Sequence, residues 1–384
     1  MNRMRRLLLL TSAIVFVDTL FFTALTPLLP HYAHAVGLGK TGAGVLAAAY
    51  PAGTLLGSLP SGIVAARAGV KPTVVVGLTC VAVCIVGFGV ATNAWELDVA
   101  RFVQGIASAF SWTGALAWLV AGTPAERRGA TIGGALASAT AGALLGPVLG
   151  ATASVAGIAP TFVTIGSASL VLALWAVTTT AERPDDPQAF GALIRAFGDG
   201  RVLLGGWFVV LPGLLFGVLS VLGPLRLAQL GYGAVAIGAA FLAAAAAETV
   251  INLFIGRAAD RHGPIGPLVV GLAGSFFVAA LLPWPSSAIV LALLVVAAGL
   301  TFGTFFTPGM TLISHAGEAR GLDYGYTFAL VNLAWAPGQA IGSAGGGALA
   351  HATGNAVPYI VLAAACAITL AGLRAGASAR YSSA

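Results

Sequence analysis

Residues 7–29 read LLLLTSAIVFVDTLFFTALTPLL, an apolar run with one acidic side chain, Asp18, at its centre. A helix needs about 20 apolar residues to cross a bilayer. Arg3, Arg5 and Arg6 precede the run, as basic residues precede the core of a secretory signal. Because this run is longer than a typical signal core and contains a charge, we expect it to be a retained membrane-spanning helix.

The rest of the chain has the same apolar character. Of its 384 residues, 58% are hydrophobic and 8% are charged, and the mean hydropathy is +0.97. Soluble domains carry about 25% charged residues, so a water-soluble fold is excluded. Hydrophobic windows bounded by charge, Pro or Gly predict twelve spans, at residues 7–29, 41–65, 72–91, 97–121, 130–155, 158–179, 202–224, 234–256, 265–283, 287–314, 322–350 and 355–373. We therefore expect an all-α membrane protein.

The basic residues predict how the chain is oriented. Of the 18 Lys and Arg residues, only Lys40 and Arg226 fall in the loops on one side, and Arg101 falls inside a window. The others lie on the opposite side, which the positive-inside rule places in the cytoplasm. We expect both termini to be cytoplasmic, in a plasma membrane of the bacterial type. The net charge of +6 forms no cluster that would bind nucleic acid.

The sequence also divides into two similar halves. The longest polar stretch predicts a linker over 181–201, between a six-helix bundle at 1–180 and a second bundle, with a short tail, at 202–384. The spacing from Gly62 to Gly69 recurs from Gly256 to Gly263, 194 residues further on. Parallel repeats of this kind form transporters whose halves rock about a site near the membrane midplane.

Four segments resemble one known family. Residues 62–71, GIVAARAGVK, resemble the loop between helices 2 and 3 of the major facilitator superfamily, and 101–105, RFVQG, resemble its helix 4 element. Residues 142–150, GALLGPVLG, are similar to the helix 5 motif of its twelve-helix drug/proton antiporters. Residues 16–30 resemble the first helix of the vesicular amine transporter branch. The resemblance implies two six-helix halves around a central cavity, with no cofactor and no metal.

Asp18 is the strongest candidate for a functional residue. A carboxylate at mid-bilayer must face a cavity, pair with a cation or stay protonated. A cationic substrate and a proton would then compete for the same oxygens. The resemblance implies that Asp18 contacts the ammonium group of a substrate, beside Thr19 and Phe22. The alternative is a carboxylate that only fixes helix packing.

Glu248 and Arg101 are two further charged residues inside the predicted windows. We expect Glu248 to carry a proton or to contact substrate, and the alternative is a neutral side chain that bridges to Asn252 or to an adjacent helix. The resemblance implies that Arg101 takes part in proton coupling, and it could hold Asp18 ionised. The alternative is that Arg101 extends to the outer headgroups.

Two polar helix faces are predicted to bind substrate. Gln104 and Ser108 continue the face of Arg101 at helical spacing. Asn332, Trp335 and Gln339 share a face of the eleventh window, where Trp335 could make a cation–π contact or simply pack.

Glycine-rich segments are predicted to control conformational change. Gly142, Gly146 and Gly150 form a stripe that lets another helix approach closely, and Pro147 bends the helix. In antiporters this motif is thought to seal a contact between the halves. The loop residues predicted to gate the cytoplasmic side are Gly62, Arg67, Gly69 and Lys71, with Gly256, Asp260, Arg261 and Gly263 in the second half. Ala66 stands where the family has an acid.

These features favour a proton-coupled exporter of small hydrophobic or cationic compounds that works by alternating access. Its expected partners are the substrate, protons and the lipid bilayer, and it is expected to act as a monomer. Proton-linked uptake is the main alternative. A membrane-embedded enzyme or a channel is a weaker one, because the sequence has no H-E-x-x-H or G-x-S-x-G motif.

Overall fold

A computed structural model describes residues 3–124, 127–181, 195–196, 198–262, 265–322 and 324–381. Most residues in these ranges are helical. The helices are α1 (Arg3–Ala35), α2 (Lys40–Ala68), α3 (Val70–Val90), α4 (Ala94–Ala121), α5 (Arg128–Ala156), α6 (Ile158–Thr178), α7 (Gly200–Gln229), α8 (Ala234–His262), α9 (Ile265–Leu281), α10 (Ala288–Phe302), α11 (Phe306–Ala319), α12 (Tyr324–Thr353) and α13 (Ala356–Tyr381).

The helices account for twelve spans. Among the described residues, ten segments are long and apolar enough to cross a membrane, and one of them, 288–319, contains both α10 and α11. The shorter α9 and the glycine-rich α12 complete the set. Each predicted window overlaps one span. The tenth window differs, because its helix is interrupted at residues 303–305.

The outer surface of the bundle is apolar. Val83, Leu174, Phe277 and Ile368 are all more than half exposed. An apolar surface of this kind is compatible with the hydrocarbon core of a bilayer, which offers no hydrogen-bonding partners. The chain is therefore an integral, multi-pass membrane protein.

Two glycine stripes hold corresponding helix pairs together. A Cβ on Gly142 or Gly150 would meet the backbone of α1, and Gly146 faces Thr23. The Thr23 hydroxyl donates to the Ala143 carbonyl at 3.1 Å. In the second half the same arrangement joins α12 to α7, through Gly338, Gly342 and Gly346.

The glycine stripe of α5 therefore has a different partner from the one its motif implies. The stripe packs against α1 within its own half. The contact with the other half comes from a different face of α5, where the Pro147 carbonyl and Ala151 approach Gly238 of α8. The glycines face α1 because this helix approaches α5 so closely that side chains at these positions would clash with it.

A second pair of contacts repeats at an interval of 194 residues. Gly105 of α4 lies against the Tyr50 carbonyl of α2, and Gly299 of α10 lies against the Ala244 carbonyl of α8. The two halves thus share their helix-packing register as well as their helix order.

The α1 to α5 contact makes a prediction about stability. Gly142→Ala should destabilise the protein by about 1–3 kcal/mol, because the new methyl group would overlap the Phe16 carbonyl and force two backbones apart. Gly133→Ala, on the same helix, should be neutral or stabilising by up to about 1 kcal/mol, since its methyl group meets nothing within 4 Å. Thermal unfolding of the two purified variants tests this difference, and equal melting temperatures would contradict it.

Candidate functional site

A cavity of about 890 Å³ lies between the two halves at the level of Asp18. One wall comes from α1, α2, α4 and α5, and the other from α8, α11 and α12. The cavity extends from the middle of the bundle toward the face at which α1 begins, which we call the N-terminal face. Its walls are mainly apolar, with a few polar groups, as in sites for small organic molecules.

At the opposite face the two halves are in contact. Gly44 of α2 lies against the backbone of α12, where its Cβ would be 3.2 Å from the Gly347 Cα. Lys40 Nζ donates to the Ala350 carbonyl at 3.4 Å. A Cβ on Gly238 would lie 2.8 Å from the Pro147 carbonyl oxygen. These contacts close the opposite face, and the cavity is reached from the N-terminal face.

Asp18 is 3% exposed and is part of the cavity wall. Its Oδ2 accepts hydrogen bonds from the Tyr50 hydroxyl at 2.7 Å, the Ser108 hydroxyl at 2.7 Å and Trp112 Nε1 at 2.8 Å. Its Oδ1 has no hydrogen-bond partner. Side chains from α2 and α4 therefore fix one carboxyl oxygen and leave the other without a partner.

The hydroxyls beside Asp18 allow the hydrogens to be counted. Tyr50 Oη and Ser108 Oγ are 2.6 Å apart, so with Asp18 Oδ2 they form three short oxygen–oxygen contacts. Each hydroxyl has one hydrogen, and an ionised Asp18 leaves one contact without any. A proton on Asp18 Oδ2 supplies the third hydrogen: one hydroxyl then accepts from Oδ2 and donates to the other hydroxyl, which donates to Oδ2, and all three contacts are hydrogen bonds. This geometry suits a protonated Asp18.

Aromatic rings surround the same carboxyl group. The rings of Phe22 and Tyr50 are 4.7 Å apart, and those of Phe22 and Trp335 meet edge to face at 5.7 Å. Trp112 also lines the cavity. Aromatic faces attract organic cations, so the cavity combines a carboxyl group with the ring surfaces that recognise ammonium compounds.

Arg101 is buried behind these rings, with 1% exposure. Its Nη1 donates to Gln104 Oε1 at 3.1 Å, and its Nη2 donates to the Phe22 carbonyl at 3.2 Å. The guanidinium carbon lies 5.2 to 5.8 Å from the ring centres of Phe21, Phe22, Tyr50 and Phe88. Arg101 therefore lies within the bundle and does not extend to the headgroups.

Arg101 does not form the direct pair with Asp18 that the sequence suggests. Within the described part of the chain, the one ion pair closer than 4.0 Å joins Arg320 to Asp199. Tyr50 lies between the two buried charges, because its hydroxyl binds Asp18 and its ring contacts the guanidinium. Arg101 and Asp18 therefore interact across the space that Tyr50 occupies and not by direct contact.

Glu248 lies at the interruption of the tenth span. A Cβ on Gly303 would be 3.0 Å from Glu248 Cγ, so the acidic side chain occupies the space that this glycine leaves between α10 and α11. Asn252 Oδ1 has no hydrogen-bond partner, and no hydrogen bond between described atoms joins it to Glu248. The bridge to Asn252, which was the alternative to a proton-carrying role, is therefore not formed, and Glu248 lines the cavity.

A smaller chamber of about 300 Å³ lies on the other side of Phe22 and Trp335. These two rings line both spaces, and so does Glu248. The chamber is on the side of the closed opposite face, and Arg101 and Gln339 are in its wall. The aromatic pair thus lies between the main cavity and the smaller chamber.

The predicted substrate residues fall into three places. Those that line the main cavity with Asp18 are Thr19, Phe22, Ser108, Asn332 and Trp335. Gln339 lines only the smaller chamber. Gln104 is fully buried and lies in neither wall, because its side chain turns toward Arg101. Their binding roles remain predictions.

The predicted gating loop of the first half is a one-residue turn. Gly69 alone separates α2 from α3, with a φ of 97° that favours glycine. Gly62 has open space around its Cα, and Arg67 is exposed. In the second half, the side chains of Asp260 and Arg261, the surroundings of Gly256, and Gly263 lie outside the described residues. The gating roles of both loops, and that of Lys71, remain predictions.

Sequence reasoning missed Tyr50 and Trp112, both of which bind Asp18. Trp112 lies one helical turn after Ser108, so the face already identified could have been extended to it. Tyr50 lies in the run LAAAYPAG, residues 46–53. A tyrosine hydroxyl in an apolar helix needs a hydrogen-bond partner, which was the available signal.

The fold and the site together define a class of protein. Two similar helical halves around a central cavity, closed at one face and containing buried acids, are the architecture of a secondary transporter. The model of the major facilitator superfamily matches residues 11–338. The chain belongs to this superfamily, and it is a transporter, not an enzyme.

Solved structures of several transporters have the same fold. A D-xylose-proton symporter matches with a TM-score of 0.77 at 13% identity, over 97% of both chains. A variant of the nucleoside transporter NupG matches with 0.76 at 14% identity, over 96% of this chain and 99% of that one. A bacterial homologue of the human lysosomal transporter Spinster, described as inward-facing and unoccupied, matches with 0.76 at 17% identity, over 91% and 83%. The comparison with curated protein sequences finds no match.

The contacts of Asp18 predict the effect of removing one hydroxyl. Tyr50→Phe should weaken the binding of an organic cation such as ethidium at least about tenfold, because a hydrogen bond to a charged group contributes about 1.5–3 kcal/mol. Fluorescence titration of the purified protein measures this affinity. Tyr32→Phe is the matched control, since the Tyr32 hydroxyl is buried without a partner, and it should bind normally. Equal affinities in the two variants would contradict this account.

Proposed function

We propose that the protein is a proton-coupled exporter of small, hydrophobic, cationic compounds. One observation carries the proposal: the cavity between the halves contains a buried carboxyl group with an unpartnered oxygen, surrounded by aromatic rings. A cation that binds there replaces its hydration shell with a carboxylate and ring faces. The apolar remainder of the cavity accommodates the body of the compound.

The exchange follows from the chemistry of one side chain. The oxygen triangle at Asp18 is complete when the carboxyl group holds a proton. A cationic substrate requires the ionised form, so it binds as the proton leaves. Because a buried charge is costly inside the membrane, the carboxyl group is neutralised in turn by the proton and by the cation, and the two ligands exclude each other.

Alternating access would move this site between the two sides of the membrane. The basic residues support a cytoplasmic N-terminal face, so the cavity described here would open to the cytoplasm. Separation of Gly44 from α12 and of Pro147 from Gly238 would open the opposite face. A potential of ~100 mV is equivalent to ~2.3 kcal/mol per charge, which sustains roughly a fortyfold gradient for each charge moved.

Proton-linked uptake is the second candidate, because it uses the same acids with the opposite net flux. The resemblance of residues 142–150 to the antiporter motif supports export. The symporter among the structural neighbours shares the fold at 13% identity, which says nothing about direction. Proteoliposomes with an imposed pH gradient distinguish the two: export requires the proton and the cation to move in opposite directions, and uptake requires the same direction.

Asp18→Asn should abolish ethidium transport driven by a pH gradient in proteoliposomes, while the variant remains folded in detergent. The amide cannot ionise, so it neither releases a proton nor neutralises a cation. Asp98→Asn is the matched control, because Asp98 also lies in a span but in neither cavity wall, and it should transport normally. Full gradient-driven transport by Asp18→Asn would refute the assignment.

Glu248→Gln should reduce the pH dependence of transport without abolishing cation binding, because the amide removes the second ionisable group of the cavity. The initial transport rate, measured from pH 5 to 9, shows whether the profile becomes flatter. Glu96→Gln is the control, since Glu96 is exposed at the start of α4 and its loss should leave the profile unchanged. If the Glu248→Gln profile matches that of the wild type, Glu248 is structural.

A further inference from the structure

The smaller chamber has a buried guanidinium in its wall with one donor that lacks an acceptor. Arg101 lines the chamber, and Arg101 Nε has no partner. Gln104 Nε2, beside the guanidinium but outside the chamber wall, has none either. Buried donors are ordinarily paired with an acceptor, and a guanidinium presents five N–H groups in a fork that fits a carboxylate. The arrangement is therefore short of an acceptor that carries negative charge.

No side chain described in the structure supplies that acceptor. The one described ion pair is distant in the fold, between Arg320 and Asp199. Gln104 contributes its amide oxygen and Phe22 its backbone carbonyl, both of which are neutral, and the guanidinium also lies against aromatic rings. The positive charge of Arg101 is left without a carboxylate in contact.

Asp18 and Arg101 lie on different sides of the same aromatic group. The Tyr50 hydroxyl binds Asp18, and the guanidinium carbon is 5.2 Å from the Tyr50 ring centre. Phe22 stacks on Tyr50 and lines both the cavity and the chamber. A single compound could therefore reach both charges once the Phe22 and Trp335 rings separate.

We propose that Arg101, held by its hydrogen bond to Gln104, forms a subsite for a carboxylate group, and that the preferred cargo is an aromatic zwitterion. Its cationic nitrogen binds at Asp18, and its carboxylate enters the chamber and accepts hydrogen bonds from Arg101. This inference rests on the proposed function, because it assumes that Asp18 holds the cation. It adds a specificity that a site for simple cations lacks.

A matched pair of dyes tests the carboxylate subsite. Tetramethylrhodamine is a zwitterion, and its methyl ester is a cation with the same ring system. Fluorescence polarisation with the purified full chain should show the zwitterion binding about tenfold more tightly than the ester, the ratio expected for a charge-assisted hydrogen bond. Arg101→Gln should remove this preference, and Arg101→Lys should restore part of it.

The preference ratio separates recognition from loss of structure. A variant that is merely misfolded loses both dyes together, whereas loss of the subsite lowers only the affinity for the zwitterion. Equal affinities for the two dyes in the wild type, or an unchanged ratio in Arg101→Gln, would overturn the inference. Repeating the titration with chloride replaced by gluconate tests whether a free small anion, and not the carboxylate of the dye, binds at Arg101. If chloride tightens binding of the ester, and this depends on Arg101, the carboxylate is not the ligand.

Failure of this inference can be distinguished from failure of the proposed function. If ethidium transport requires Asp18 but the dye preference is absent, the exporter stands and the carboxylate subsite is wrong. If neither dye binds and Asp18→Asn leaves ethidium transport intact, the proposed function fails, and the inference that rests on it fails too.

Discussion

A carboxyl group buried halfway along a membrane-spanning helix is the constraint on which this site depends. An isolated charge at that depth is unfavourable by several kcal/mol or more, so Asp18 must be neutralised or strongly hydrogen-bonded. Donors from α2 and α4 meet one of its oxygens. The rings around the cavity exclude water while keeping an attractive surface for cations. Under the proposed function, proton binding and cation binding are alternatives at this one group.

The side chains of this site are not repeated in the second half of the chain. Packing contacts recur at an interval of 194 residues, as in the corresponding contacts of Gly105 and Gly299. The polar side chains of the site do not recur. The positions equivalent to Asp18, Tyr50 and Arg101 are occupied by Pro212, Ala244 and Val295. In the second half the acid is instead Glu248, at the position equivalent to Thr54. The proposed function therefore depends on side chains that break a symmetry kept by the backbone.

The sequence predicted the number of spans, the superfamily and the position of Asp18, because hydrophobic length and a buried charge are local properties. It did not predict how the helices are rotated against each other. Helical periodicity placed Arg101 and Gln104 on one face but could not show that Tyr50 lies between Arg101 and Asp18. The glycine stripe of α5 indicated close packing without identifying α1 as the partner. The interruption at Gly303 was also missed, since its apolar surroundings resemble a continuous helix.

Counting protons released when a cation binds tests the central claim most directly. The purified protein is titrated with ethidium in weakly buffered detergent solution near the pH at which the site is protonated, while a pH electrode records release. If a proton and a cation share Asp18, binding releases close to one proton per cation, and Asp18→Asn releases none. Binding of the cation by the wild type with no proton release across pH 5 to 9 would contradict the account.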